Sequence, residues 1–167
     1  MKVRVLPALV LAPVLLLGTA LGPLAGPARA EEEGVPYWAS LRGRDVNMRV
    51  GPGEDYRINY RYHREDLPMK VLRVMEGWRL VQDPSGARGW MLARFLKRDR
   101  GAIVKGERGG PAVDMREKPE ADSRLLWKLE PDVTGKLKDC GEGWCKLDVA
   151  GHIGYVREDA LWGAGNP

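Results

Sequence analysis

Beyond residue 30, apolar and polar positions alternate in short runs separated by turn-forming residues. Residues 83–86, Asp-Pro-Ser-Gly, give a strong turn signal between two such runs. The spacing typical of long helices is missing, and only short 3₁₀ turns are expected, near Ala93 and Glu158. The pattern therefore predicts an all-β protein, with strands that include residues 70–74, 78–81 and 89–92.

The strand pattern occurs twice. Three blocks recur in order with offsets of 67, 66 and 65 residues: 46–53 with 113–120, 76–78 with 142–144, and 89–91 with 154–156. Ordered blocks with shrinking offsets indicate duplication with small changes in loop length. About five short strands per copy favour a small, partly open barrel. The predicted organisation is a first domain at 38–98, a second at 112–163 and a Gly- and charge-rich linker at 99–111, in which Ile103-Val104 is a candidate extra strand.

The first copy carries a connected motif. Residues 46–53, Val-Asn-Met-Arg-Val-Gly-Pro-Gly, are followed by Trp78, Gly86 and Gly89-Trp90. This order resembles the pattern VNxRxGPG…W…G..GWV…L of the bacterial SH3-like (SH3b) domain family, and the resemblance covers nearly all of 38–163. The ending of the second copy, from Glu142-Gly143-Trp144-Cys145 through Ala160-Leu161-Trp162-Gly163, is similar to exported Gram-negative proteins with tandem SH3-like domains. The second copy departs from the family pattern at Asp114, Glu117-Lys118 and Tyr155.

The resemblance implies two tandem SH3-like small β-barrels, an extracytoplasmic location, and attachment to cell-wall material or to peptides. The family-motif loop residues are Asn47, Arg49, Gly51, Pro52 and Gly53. Gly51 and Gly53 allow positive φ or a close backbone approach, and Arg49 is placed to fix the loop by hydrogen bonds to carbonyls.

Residues 1–30 have the pattern of a signal peptide. Lys2 and Arg4 precede an apolar run over 5–24, and Ala28-Arg29-Ala30 supplies a cleavage site after Ala30. Prolines within the run disfavour a permanent membrane helix, although an uncleaved single-span anchor is the alternative. The expected product is periplasmic or secreted, with no stable membrane span after cleavage.

The charge is uneven along the chain. After residue 30 there are 24 basic and 23 acidic side chains, a balance that argues against nucleic acid as a partner. Residues 40–98 carry 13 basic and 7 acidic side chains, whereas residues 99–167 carry 11 and 13. The first copy is therefore the one expected to prefer anionic partners.

The two cysteines, Cys140 and Cys145, flank a turn-like sequence. An oxidising compartment favours a structural disulfide between them, with free thiols as the alternative. A cysteine hydrolase using Cys145 and His152 is a remote alternative, because a thiolate nucleophile needs a positioned base and a third orienting group. His63 and His152 lie too far apart for a metal motif, and neither a cofactor nor an enzyme activity is expected.

Aromatic and basic residues interleave over residues 56–64. Strand alternation puts Tyr60 and Tyr62 on one face, and Arg61 and His63 on the other. Two interpretations are open: an ordinary strand with Tyr in the core and Arg in water, or a groove in which aromatics stack on a sugar or peptide while Arg binds carboxylates. Tryptophans of the motif are open to the same two interpretations. The candidate ligand-binding residues are Tyr56, Tyr60, Arg61, Tyr62, Trp78 and Trp90.

These features predict a non-catalytic exported binding protein of the cell envelope, whose SH3-like domains bind peptidoglycan or a peptide or protein partner. The alternative is a structural or assembly partner in a periplasmic protein complex that is bound through a barrel edge or loop.

Overall fold

The computed structural model describes residues 34–167, and the predicted signal peptide, residues 1–30, lies outside the described residues. Two sheets of seven strands each make up the described part. Barrel one consists of β1 Tyr37–Leu41, β2 Val46–Arg49, β3 Ile58–Tyr62, β4 Pro68–Met75, β5 Trp78–Gln82, β6 Arg88–Leu92, a 3₁₀ turn Ala93–Phe95 and β7 Leu96–Lys97. Barrel two consists of β8 Gly101–Val104, β9 Val113–Arg116, β10 Leu125–Leu129, β11 Thr134–Gly141, β12 Trp144–Val149, β13 His152–Arg157, a 3₁₀ turn Glu158–Ala160 and β14 Leu161–Trp162.

The two sheets have the same topology. Their strand orders are β3-β2-β6-β5-β4-β1-β7 and β10-β9-β13-β12-β11-β8-β14, so that each strand of one barrel matches the strand seven places later in the chain. The strands pair antiparallel in both barrels. The predicted all-β fold of two tandem SH3-like domains is confirmed.

The segment assigned to a linker, 99–111, contains the first strand of barrel two. β8 pairs with β11 and β14, so barrel two begins at Gly101 and not at residue 112. Gly and charged residues dominate 99–111, which is why its composition is typical of a loop. The apolar pair Ile103-Val104 was the signal of a strand, and both residues are buried. Residues 105–112 are a loop within barrel two, between β8 and β9.

Each barrel has its own core. In both cores, a buried methionine of the second strand packs against a glycine of the sixth strand. Met48 of β2 and Met115 of β9 are fully buried. A Cβ built on Gly89 would lie 2.6 Å from Met48 Cγ, and one on Gly154 would lie 2.5 Å from Met115 Cγ. Only glycine permits this approach, which explains the Gly of the recurring Gly-aromatic pair.

The two barrels belong to one compact unit. Ile103 of β8 packs into the core cluster of barrel one. Trp38 meets Trp162 edge-on, with ring centroids 4.7 Å apart, and its Nε1 donates to the Gly165 carbonyl at 3.1 Å. Arg64 Nη1, between β3 and β4, donates to the carbonyl of Asp132, between β10 and β11, at 2.7 Å. The duplicated domains are therefore held together by aromatic packing and hydrogen bonds.

Within residues 34–167, the structure has no helix of the length and apolarity that a membrane crossing requires.

Candidate functional site

The interleaved aromatic and basic segment forms β3, an edge strand of barrel one. Tyr60 lies opposite Met48 of β2, and Arg61 lies opposite Asn47. Although Met48 is fully buried, the Tyr60 side chain is 47% exposed, because β3 is the last strand on its side of the sheet. Arg61 is exposed, and its Nε donates to Asn47 Oδ1 at 3.2 Å. The edge strand thus exposes a phenol ring on one of its faces and, at the next residue, a guanidinium on the other.

Tyr62 has a supporting position beneath this edge. Its ring centroid lies 6.4 Å from that of Tyr60, as the predicted alternation requires. Its hydroxyl donates to Asp83 Oδ2 at 2.9 Å, and burial together with this hydrogen bond raises the pKa of the phenol. The Tyr62 hydroxyl is therefore hydrogen-bonded within barrel one.

Both oxygens of the Asp83 carboxylate accept hydrogen bonds. Its Oδ1 accepts hydrogen bonds from the Ser85 and Ala87 backbone N–H groups, both at 2.9 Å. These bonds close the predicted Asp-Pro-Ser-Gly turn between β5 and β6. The Tyr62–Asp83 hydrogen bond consequently ties the candidate edge strand to that turn.

Tyr56 occupies the loop between β2 and β3. Its ring lies so close over Gly51 that an added Cβ would overlap the ring atoms, and a Cβ on Gly53 would lie 3.1 Å from the ring. Neither glycine has positive φ, so close approach is the reason for glycine here. Arg49 Nη1 donates to the Tyr56 carbonyl at 2.7 Å and fixes the loop, while the Tyr56 side chain stays 50% exposed.

The two candidate tryptophans do not share the position of the tyrosines. Trp90 lies opposite Arg49 and is only 9% exposed, so it packs within barrel one. Trp78 is half-buried on β5, and β6 and β2 lie between its strand and β3 in the sheet order. The exposed candidates near β3 are Tyr56, Tyr60 and Arg61, which we call the β3 surface.

Barrel two contains an exposed aromatic that the motif comparison missed. Trp127 of β10 lies opposite Met115 as Tyr60 lies opposite Met48, and its side chain is 49% exposed. Its ring centroid lies 4.3 Å from that of His152. Continuing the 67-residue offset beyond residue 120 would have aligned Trp127 with Tyr60. The loop differs, since Ser123 takes the place of Tyr56 and its carbonyl accepts from Arg116 Nη1 at 2.7 Å.

The predicted disulfide joins Cys140 to Cys145. The two residues are direct partners across β11 and β12, with Cα atoms 4.1 Å apart. Glu142 and Gly143 form the connecting turn, and both have positive φ. Cys145 is fully buried in the core of barrel two. Its sulfur is bonded to Cys140 rather than free as a thiolate, and the His152 ring lies against Trp127.

Among residues 34–167, no group of three or more His, Cys, Asp or Glu side chains is arranged to hold a metal ion.

A curated relative is similar to most of this chain. YrvJ of Bacillus subtilis (strain 168), a protein assigned as an N-acetylmuramoyl-L-alanine amidase, is 22% identical over 130 residues, which cover 73% of this chain and 25% of YrvJ. The chain therefore spans about a quarter of that relative's length.

Two solved structures are also similar in part. NlpC2 from Trichomonas vaginalis matches with a TM-score of 0.34 and 16% identity, over 76% of this chain and 48% of NlpC2. An NlpC/P60 family protein from Bacillus cereus ATCC 10987 matches with a TM-score of 0.33 and 10% identity, over 77% of this chain and 57% of that protein.

The family comparison covers both barrels. The profile of the bacterial SH3 domain matches twice, at residues 42–97 and at residues 109–163. These two matches fall on barrel one and barrel two, and together they cover more than half of the chain. The chain therefore belongs to the bacterial SH3 domain family.

Proposed function

We propose that this chain is a non-catalytic binding protein of the cell envelope that binds peptidoglycan through the β3 surface of barrel one. The observation that carries the proposal is the exposure of two successive side chains on an edge strand, the half-exposed Tyr60 ring on one face and the Arg61 guanidinium on the other. Family membership and the similarity to a protein assigned as an N-acetylmuramoyl-L-alanine amidase support a wall ligand.

The chemistry of the β3 surface fits the two parts of peptidoglycan. Exposed phenol faces of Tyr56 and Tyr60 can pack against the C–H faces of sugar rings or against peptide. Arg61 can pair with a stem-peptide carboxylate, since charge-assisted hydrogen bonds to guanidinium are the stronger kind. The excess of 13 basic over 7 acidic side chains in residues 40–98 favours an anionic partner.

An extracytoplasmic location and a non-catalytic role belong to the same proposal. The Cys140–Cys145 disulfide is typical of proteins in oxidising compartments. The predicted signal peptide over 1–30 points to a periplasmic or secreted protein. Bonding of Cys145 to Cys140 removes the thiolate on which the cysteine-hydrolase alternative depends.

Retention on purified sacculi tests the proposal. The protein is incubated with sacculi at moderate salt, and bound and free fractions are quantified for the wild type, Tyr60→Ala, Arg61→Gln and Arg88→Gln. Arg88 is a matched control, because it is exposed on the same barrel and its Nε donates to Gln82 Oε1 at 3.3 Å, much as Arg61 does to Asn47.

We expect Tyr60→Ala and Arg61→Gln each to weaken retention by about tenfold, equivalent to about 1.4 kcal/mol, and Arg88→Gln to leave it unchanged. No retention of the wild type contradicts the proposal. Equal losses from Arg61→Gln and Arg88→Gln would mean that only net charge matters, which contradicts a defined β3 surface.

A further inference from the structure

Barrel two has an exposed aromatic side chain, Trp127, at a position where the core does not need it. Trp127 and Tyr60 occupy the same register position, opposite the buried methionines of their barrels. Both side chains are about half exposed, so neither ring is needed to fill a core. By contrast, the Tyr62 hydroxyl is hydrogen-bonded to Asp83, and its counterpart Leu129 is buried. Two sequences that differ around this position have thus retained a large aromatic surface at the edge strand.

The Trp127 ring is held by a neighbour rather than left free. The His152 ring from β13 lies 4.3 Å from it, centroid to centroid, with 49° between the ring planes. An aromatic contact of this kind restricts the rotation of the indole, so less conformational entropy is lost when a ligand packs on it. Trp127 is therefore a partly ordered, exposed platform.

The charges around Trp127 are paired within barrel two. Asp114 accepts from Arg116 Nη2 at 2.7 Å and lies 3.5 Å from Lys128 Nζ. Arg124 and Glu117, beyond the other end of β10, pair with each other at 2.8 Å. Because these ion pairs are internal, the platform has less charge to offer a ligand than the β3 surface. An uncharged ring is the ligand chemistry that fits.

We propose that Trp127, supported by His152, forms a second binding site on barrel two that takes an uncharged N-acetylated pyranose ring by stacking. The inference rests on the proposed function, because it assigns this site to the glycan of the same polymer. A ring of this type presents C–H groups to the indole face and hydroxyl and amide groups to water.

The arrangement makes the protein bivalent towards a glycan. The two barrels are joined by the Trp38–Trp162 contact and by the hydrogen bond from Arg64 Nη1 to the Asp132 carbonyl, and both platforms belong to one compact unit. A polymer repeats the same sugar units, and binding at one platform raises the effective concentration of ligand at the other. Retention on sacculi therefore depends on Trp127 as well as on Tyr60.

The test uses tetra-N-acetylchitotetraose, a soluble uncharged probe, and isothermal titration calorimetry. All variants carry Tyr60→Ala, which removes the aromatic of the first platform. Trp127→Ala is compared with Trp127→Tyr, which keeps an aromatic face, and with Leu125→Ala. Leu125 is the matched control, because it lies on the same strand and is also exposed. Urea unfolding of each variant verifies that barrel two remains folded.

In the Tyr60→Ala background, we expect measurable binding that Trp127→Ala weakens by at least about tenfold, while Trp127→Tyr and Leu125→Ala stay within about threefold. Binding that is unchanged by Trp127→Ala overturns the inference, and so does absence of binding in the background protein. A loss with Leu125→Ala as large as with Trp127→Ala overturns it too, since it indicates an apolar protein-docking patch.

Failure of this inference is distinguishable from failure of the proposed function. If wild type is retained on sacculi in an Arg61-dependent manner while Trp127→Ala has no effect on chitotetraose, only the second site is lost. If wild type is not retained on sacculi, the proposed function fails whatever the calorimetry gives.

Discussion

Barrel one and barrel two share one topology but differ at the surface and in what reinforces each barrel. Both have a fully buried methionine opposite an exposed aromatic, and both have a glycine at the crossing of the second and sixth strands. In both, an arginine donates to a loop carbonyl seven residues later, at 2.7 Å. The buried methionine, the glycine and the arginine hydrogen bond are what the fold requires, whereas the exposed aromatic fills no core and the surrounding surface has been free to diverge.

The reinforcement differs in chemistry. Barrel one uses the Tyr62–Asp83 hydrogen bond to join its edge strand to the β5–β6 turn. In barrel two, the equivalent of Tyr62 is the buried Leu129, and a disulfide joins β11 to β12. Barrel one is thus reinforced by a hydrogen bond whose contribution to stability depends on pH, and barrel two by a disulfide whose presence depends on redox conditions. This difference can be tested variant by variant.

The largest expected effect tests whether the two cores are equivalent. Met48→Ala and Met115→Ala each remove a side chain that has no solvent exposure, and each should lower the free energy of unfolding by about 3 kcal/mol. Urea unfolding measured by tryptophan fluorescence gives both values. Met75→Ala, at an exposed position, is the control and should change stability by less than about 0.5 kcal/mol. A cost at only one of Met48 and Met115 would contradict equivalent cores.

Removing the disulfide should affect barrel two selectively. The Cys140→Ala, Cys145→Ala double variant opens a short loop and should cost about 2 kcal/mol on chain-entropy grounds. Hydrogen exchange should then show faster opening in β11 and β12, with β4 and β5 unchanged. Reduction of the wild type should reproduce the effect. Equal acceleration in both barrels would show that the bond does not act locally.

A smaller effect should distinguish the polar contact of barrel one. Tyr62→Phe leaves the buried Asp83 without one donor and should cost about 1.5 kcal/mol at neutral pH. The pKa of Tyr62 is raised in the folded state, so the folded protein retains this proton after the unfolded chain has lost it. Its contribution is fully present below about pH 10, the ordinary tyrosine value, and declines as the pH rises further.

Urea unfolding between about pH 8 and pH 11 measures this dependence. The wild type should lose stability above about pH 10 more steeply than Tyr62→Phe. Leu129→Val, at the equivalent position in barrel two, introduces no titratable group and should keep the wild-type slope. Identical slopes for wild type and Tyr62→Phe would contradict the coupling of Tyr62 to folding.

Much of the fold was predictable from local pattern and repetition. The turn at 83–86 and the cysteine pairing have short-range signals, the tandem duplication is visible as a recurring motif, and the structure has all three. The first strand of barrel two was not assigned to its domain, because β8 pairs with strands whose sequence separation hides the contact. Composition alone cannot show that Gly101–Val104 completes a sheet.

The candidate site was predictable only in part. Strand alternation placed Tyr60 and Tyr62 on one face, as the structure has them. Alternation could not show that Tyr62 gives its hydroxyl to Asp83, or that Trp90 is buried while Tyr60 is exposed, because these depend on long-range packing. Trp127 differs in residue type from its counterpart Tyr60 and lies outside the recurring motif blocks, so residue identity does not reveal it.

The most direct test of the central claim is chemical-shift mapping by NMR with soluble, muramidase-released peptidoglycan fragments. Backbone amides and the tryptophan indole N–H groups are followed as fragments are added to the isotope-labelled protein. We predict that the largest shifts fall on Tyr56, Tyr60 and Arg61 of the β3 surface. Shifts centred on β4 and β5 around Trp78, or no shifts at saturating fragment, would contradict binding of peptidoglycan at the β3 surface.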